Sequence, residues 1–229
     1  MKPHILGIRI IAVILLNAAV SWPAERDAVV KIGFKAGTCS GVCVSSNGYI
    51  LTAEHCVHRM NDGSITVFFG DKSYSAEIVY NPVKNYSDEA SLLKVDTNDK
   101  LPFLAVSKTS PQVGDRVHSI GFPDGKYSES SGEIISISDK YIQRLRDQYG
   151  RKVPGTAYET TVNFGEAKGN SGGPLLSETG EVIAISSTTG PSGAGWIGLT
   201  SVRTAMRRIG PPQLRRQAKR GLYAFAPDY

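Results

Sequence analysis

The 229-residue chain has little of the chemistry that marks a metal protein, a membrane protein or a nucleic-acid binder. Its three cysteines, Cys39, Cys43 and Cys56, permit a single bridge, and their spacing with His58 is only a faint echo of a zinc cluster. No metal and no other cofactor is therefore expected. No apolar stretch beyond residue 21 approaches the ~20 residues of a bilayer-spanning helix. Aromatic residues make up 8% of the chain and are too sparse among the basic positions to argue for specific nucleic-acid binding. There is no internal repeat and no low-complexity tract.

Acids are missing from residues 203–220. Arg203, Arg207, Arg208, Arg215, Arg216, Lys219 and Arg220 carry seven positive charges with no acid among them, which is more than the formal net charge of +5. Residues 211–229, opening with Pro211-Pro212, read as a basic tail that is either solvated or in contact with an anionic surface such as lipid or cell-wall polymer. The start has a different pattern. Lys2 and Arg9 precede an apolar run over 10–16 that continues through Ala18-Ala19-Val20, with small residues before Trp22. Residues 1–21 therefore read as a secretory signal peptide, cut after Ser21 or, failing that, after Ala24, with an uncleaved anchor as the alternative. Periplasmic or extracellular export is expected, and cysteines able to form one bridge agree with an oxidising compartment.

Between these ends the chain is strand-like. Runs at 29–34, 65–69, 76–80, 132–137, 156–162 and 182–187 are separated by Gly, Asn, Asp and Pro, the punctuation of an all-β protein. The exception is 202–209, a short helix stopped by Gly210-Pro211-Pro212. Residues 22–210 are the right length for one compact unit, dividing near 100–112.

One motif carries chemistry. In Gly169-Asn170-Ser171-Gly172-Gly173-Pro174 a serine sits among glycines, and a tight turn that aims a hydroxyl outward leaves no room for Cβ atoms and often needs positive φ. Such a turn can also point the N–H groups of Gly169 and Ser171 at one spot, where an oxyanion would sit. A serine hydroxyl needs a base to take its proton, and His55 in Thr52-Ala53-Glu54-His55-Cys56 is the candidate. Either segment alone has a bland explanation, a Gly-rich turn or a structural histidine; together they point to a nucleophile and its base.

At these residues the chain resembles the trypsin-like serine peptidases of chymotrypsin fold, nearest to the Do/HtrA-type and glutamyl-endopeptidase-like bacterial branches. The resemblance extends to Gly37-Thr38-Cys39-Ser40-Gly41-Val42 with Asn47-Gly48-Tyr49-Ile50-Leu51-Thr52, the hairpin that delivers the histidine. It continues through Val113-Gly114-Asp115-Arg116-Val117 with Ile120-Gly121-Phe122-Pro123, and through Gly180-Glu181-Val182-Ile183-Ala184-Ile185 and Gly195-Trp196-Ile197-Gly198-Leu199. It therefore covers about residues 29 to 209. It implies two packed six-stranded antiparallel β-barrels with the site in the cleft, and leaves no room for an added PDZ-type module. It also implies a bridge from Cys56 to Cys39, with Cys43 free or buried; Cys43 to Cys56 is the other pairing.

The family also implies a buried acid that orients the histidine, placed at the head of a strand that here reads Ser91-Leu92-Leu93-Lys94-Val95. Counting back selects Glu89. Asp88 lies one residue early, and because side chains alternate faces it serves only if a bulge absorbs the slip. Asn170 stands where activated digestive enzymes have an Asp that pairs with a new N-terminus; an amide cannot form that ion pair, so no cut beyond leader removal is expected. Six residues before the nucleophile, at the implied pocket floor, stands Gly165 rather than an Asp, which argues against Arg or Lys preference. Ser187, Thr188 and Thr189 are implied to line the pocket wall, where substrate adds as an extra strand. The reading is an exported serine endopeptidase acting on polypeptides. Its rival is a peptidase-fold protein without catalysis that binds peptides or a partner protein.

Overall fold

The computed structural model describes residues 22–34, 37–58, 65–81, 90–138, 157–165, 168–190, 193–207 and 209. The leader 1–21, the acids Asp88 and Glu89, and the tail 211–229 lie outside the described residues, and Thr188 and Thr189 are described by backbone alone.

A short helix α1 (Trp22–Ala28) leads into the first barrel, formed by β1 (Val29–Phe34), β2 (Gly37–Cys43), β3 (Tyr49–Ala53), β4 (Ile65–Phe69), β5 (Lys72–Tyr80) and β6 (Ala90–Val95). Helix α2 (Glu54–His58) follows β3 directly. The second barrel comprises β7 (Arg116–Gly121), β8 (Ser128–Ser138), β9 (Ala157–Thr160), β10 (Pro174–Ser177), β11 (Val182–Gly190) and β12 (Gly193–Gly198), and helix α3 (Leu199–Met206) closes the described chain. The all-β expectation holds. Helix α3 begins three residues before the expected 202, and α1 was not foreseen.

Both barrels are closed, in the order β1-β2-β3-β6-β5-β4 and β7-β8-β9-β12-β11-β10, so the second repeats the connectivity of the first. Neighbouring strands are antiparallel throughout. Period-two alternation explains how so few strands make three cores. Along β3, Ile50 faces the first-barrel interior with Ile32, Val67 and Leu93, whereas Leu51 faces the seam between barrels. On β11 a register shift opposite Leu175–Leu176 interrupts the alternation, so that Ile183 and Ala184 both join Val117, Ile134 and Leu175 inside the second barrel, whereas Val182 and Ile185 face the seam. Strands at the seam are thus buried on both faces: all five residues of β3 are buried, whereas β4 alternates buried and half-buried.

The linker is pinned to both halves. Leu104 N–H donates to the Cys43 carbonyl at 2.9 Å, and Val182 N–H donates to the Ala105 carbonyl at 2.8 Å. Leu104 and Val106 bury their side chains in the seam, together with Val202, Ala205 and Met206 of α3. This fixed seam is what sets loops of the two barrels against each other.

Candidate active site

Ser171 and His55 arrive on different barrels. His55 lies in the first turn after β3, half-buried, on a helix whose next residue, Cys56, is bridged to Cys39 of β2. Cys43 is unbridged and buried. Ser171 is half-buried in the turn between β9 and β10.

The two segments are packed together by backbone contacts that only glycine allows. Gly172 has φ +84°, and a Cβ there would run into Thr52 Oγ1, the Ser40 carbonyl and the Ala53 nitrogen. The serine turn therefore lies on β2 and on the last two residues of β3, with His55 two positions further along. Ser40 N–H donates to the Ser171 carbonyl at 2.8 Å, and Cys56 Sγ, which carries no proton, touches the same oxygen at 3.6 Å. Across the sheet, Ala90 at the head of β6 pairs with Ala53, which brings the start of that strand to the β3–α2 junction.

The turn itself is held at consecutive carbonyls. The Lys168 carbonyl accepts from Asp124 N–H at 2.5 Å, the Gly169 carbonyl from the Ser40 hydroxyl at 2.8 Å, and the Asn170 carbonyl from Gly173 N–H at 2.9 Å. A trans peptide sets its N–H opposite its C=O, so holding the Lys168 and Asn170 carbonyls turns the N–H groups of Gly169 and Ser171 the other way. Neither N–H has a backbone partner among the described residues. Two donors left open beside a serine suit a developing oxyanion.

Asn170 is 7% exposed, and its Oδ1 has no hydrogen-bond partner among the described residues. That oxygen fills the space a side chain at position 121 would need, which is why Gly121 must be glycine. Strand β11 is stapled to the turn: Gly172 N–H donates to the Ser186 carbonyl at 2.6 Å and Ser186 N–H to the Gly173 carbonyl at 2.8 Å. Strand β10 pairs with β11 only as far as Ile185, yet β11 runs on to Gly190, so its last residues extend past the partner on the Ser171 side. Ser187 is buried there, at an irregularity in the β11–β12 register. Gly165 is exposed with φ +70°, its N–H bonded to Asn163 Oδ1 at 2.6 Å, and a Cβ there would meet open space. Phe164 packs against the second-barrel core.

Sequence reading singled out the turn and the histidine but missed the residues that hold them. Ser40 appeared only within a matched hairpin, and nothing local marks its hydroxyl as a contact of residues 122 and 169. Among the described residues there is no group of three or more His, Cys, Asp or Glu placed to hold a metal ion.

Two closed barrels with a glycine-lined serine turn seated beside a histidine helix define a chymotrypsin-like class. Comparison with known proteins narrows this: the Trypsin-like peptidase domain family matches residues 39–185, and the chain belongs to it. A probable periplasmic serine endoprotease, DegP-like, of Chlamydia trachomatis is 30% identical over 180 residues, 77% of this chain and 32% of the relative. The like-named protein of Halomonas elongata is 33% identical over 162 residues, 70% of this chain and 31% of the relative. The chain thus spans about a third of the length of these relatives. Among solved structures, the active form of the Rv3671c protease from M. tuberculosis matches with a TM-score of 0.68 at 22% identity, covering 92% of this chain and 94% of that one. The serine endoprotease from Yersinia pestis matches at 0.63 and 24% identity, covering 85% and 68%. At these identities the structural likeness speaks to fold.

Proposed function

We propose that the chain is an exported serine endopeptidase that hydrolyses polypeptides through an acyl-enzyme on Ser171. The observation that carries this reading is the seating of the Gly169–Gly173 turn on β2 and the end of β3, with two backbone N–H groups left open beside the serine. Export is supported by the leader pattern in residues 1–21 and by the periplasmic names of the relatives.

Each step moves one proton and one bond. Ser171 Oγ attacks the scissile carbonyl carbon while His55 takes the hydroxyl proton. The carbonyl oxygen becomes an oxyanion accepted by the N–H groups of Gly169 and Ser171, donors already in place and needing no reorganisation. The intermediate collapses, the C–N bond breaks, and His55 returns the proton to the departing amine. Water then repeats the sequence on the ester and releases the acid. Glu89, or Asp88 in its place, orients the imidazole and offsets its charge. Substrate backbone adds along the end of β11, past the reach of β10, with Ser187, Thr188 and Thr189 beside the residue whose bond is cut and Gly165 at the floor of its pocket.

A fluorophosphonate probe tests the nucleophile. The mature chain should gain one adduct, at Ser171 by mass, and Ser171→Ala should abolish both labelling and hydrolysis. Glu89→Ala and Asp88→Ala, assayed side by side, should separate the acids: the orienting one lowers kcat by about 10⁴-fold, the other leaves it within a few-fold. A folded wild-type chain that is never labelled would make the cleft a peptide-binding site without chemistry.

A further inference from the structure

We propose that Ser40 is a positioning residue for the oxyanion site, acting across the barrel seam to hold the turn that presents Gly169 and Ser171. The proposal rests on the peptidase reading above and adds to it a residue of the first barrel.

Ser40 is fully buried, and its polar groups are all engaged. Its hydroxyl donates to the Gly169 carbonyl at 2.8 Å and accepts Phe122 N–H at 2.9 Å, its N–H donates to the Ser171 carbonyl at 2.8 Å, and its carbonyl takes the Thr52 hydroxyl at 2.8 Å. The two hydroxyl bonds join segments 129 and 82 residues away in sequence. Phe122 in turn opens the turn whose Asp124 N–H holds the Lys168 carbonyl. One hydroxyl therefore grips the oxyanion turn directly at Gly169 and braces the second segment that grips it at Lys168.

The turn needs such a grip. Gly169 has φ +109°, a region that glycine enters freely, so its flanking peptides have little intrinsic preference for one orientation. The carbonyl that Ser40 holds belongs to the Gly169–Asn170 peptide, which lies between the two peptides carrying the Gly169 and Ser171 N–H groups, so rotating it shifts both donors through the Cα atoms of Gly169 and Asn170. Removing the hydroxyl leaves a buried carbonyl and a part-buried N–H without this partner, and the cheapest relief is for the Gly169–Asn170 peptide to turn toward another donor. The neighbours resist other solutions, since a Cβ at Gly169 would meet the Phe122 carbonyl at 2.5 Å.

The test is Ser40→Ala in the full chain, followed by steady-state kinetics on a peptide substrate and by binding of a peptide boronic acid, which forms a tetrahedral adduct, and of a product-like peptide, which does not. Losing one oxyanion donor outright costs about 10²–10³ in kcat, so loosening the pair should lower kcat about 10- to 100-fold. KM and product-peptide affinity should stay within threefold while boronate affinity falls with kcat. Unchanged kcat, or boronate and product affinities falling together, would overturn the proposal. Amide exchange at Gly169 and Ser171 separates the two levels of the claim. If wild type neither labels nor hydrolyses, the peptidase reading fails, while exchange faster by tenfold or more in the variant still supports Ser40 as the holder of the turn. Unchanged exchange sinks the positioning role itself.

Discussion

Cys43 sits between the two bridged cysteines in sequence and differs from both in its chemistry. Its side chain is fully buried in the first-barrel interior, and its thiol donates to the Ser45 carbonyl at 3.2 Å. Burial pushes the thiol up from 9.0 to about 12, against the opposing pull of the Lys94 charge. At pH 8 only about one molecule in 10⁴ then carries the reactive thiolate. Native protein should take up no iodoacetamide at pH 8 over a period in which urea-unfolded protein takes up one equivalent at Cys43, read by mass. The same shift sets a pH dependence. The unfolded thiol ionises first, so the group's contribution to stability is complete below pH 9 and is lost as pH rises from 9 toward 12, which denaturation midpoints across that window would show.

At the scale of elements, α1 is the part that composition did not announce. Its sequence WPAERDA carries a proline in the first turn, where the missing N–H costs nothing, but seven residues are too few to be helical without tertiary support. That support comes from the second barrel. Glu25, 3% exposed, bonds His118 of β7 at 2.6 Å, and Arg26 stacks over the Tyr127 ring at 4.0 Å. A Cβ on Gly180 would collide with the Glu25 carboxylate, so the β10–β11 turn is shaped around it. Glu25→Ala should cost about 2 kcal/mol, the usual size for a buried hydrogen bond to a charged group. Urea unfolding monitored by circular dichroism measures it. A loss under 0.5 kcal/mol by the same reckoning would mean that the helix is held by apolar contacts alone.

For the whole molecule, the relevant fact is that no barrel owns its outer core. Leu51 and Leu92 of the first barrel share a cluster with Leu176, Val182 and Ile185 of the second and with Val202 and Met206 of α3. The bridge from Cys39 to Cys56 ties the hairpin under this seam and closes a loop with a sequence separation of 17. Such sharing couples the halves, so unfolding should be one transition rather than two. Leu51→Ala, at a fully buried seam position, should destabilise by about 2–5 kcal/mol and move far- and near-ultraviolet dichroism together. Separate midpoints would show that the barrels unfold as independent units.

The sequence by itself determined the things that local pattern encodes. Short β-rich runs between Gly, Asn and Pro point to strands at 29–34 and 65–69, and β1 and β4 have those bounds. The tight turn around Ser171 was legible because such a turn demands residues without a Cβ, and Gly169 and Gly172 do have positive φ. Where tertiary contacts outweigh local preference, the reading fell short. Strand β5 begins at Lys72 rather than 76 because its exposed first half is held by pairing with β4, not by apolar alternation. Only the tertiary structure decided what Ser40, Glu25 and Asn170 do. Each is a short polar residue of no fixed local meaning, and each acquires its role from a partner far away in sequence: Gly169 for Ser40, His118 for Glu25 and Gly121 for Asn170. A contact depends on the position of both ends, and one end's sequence carries no record of the other.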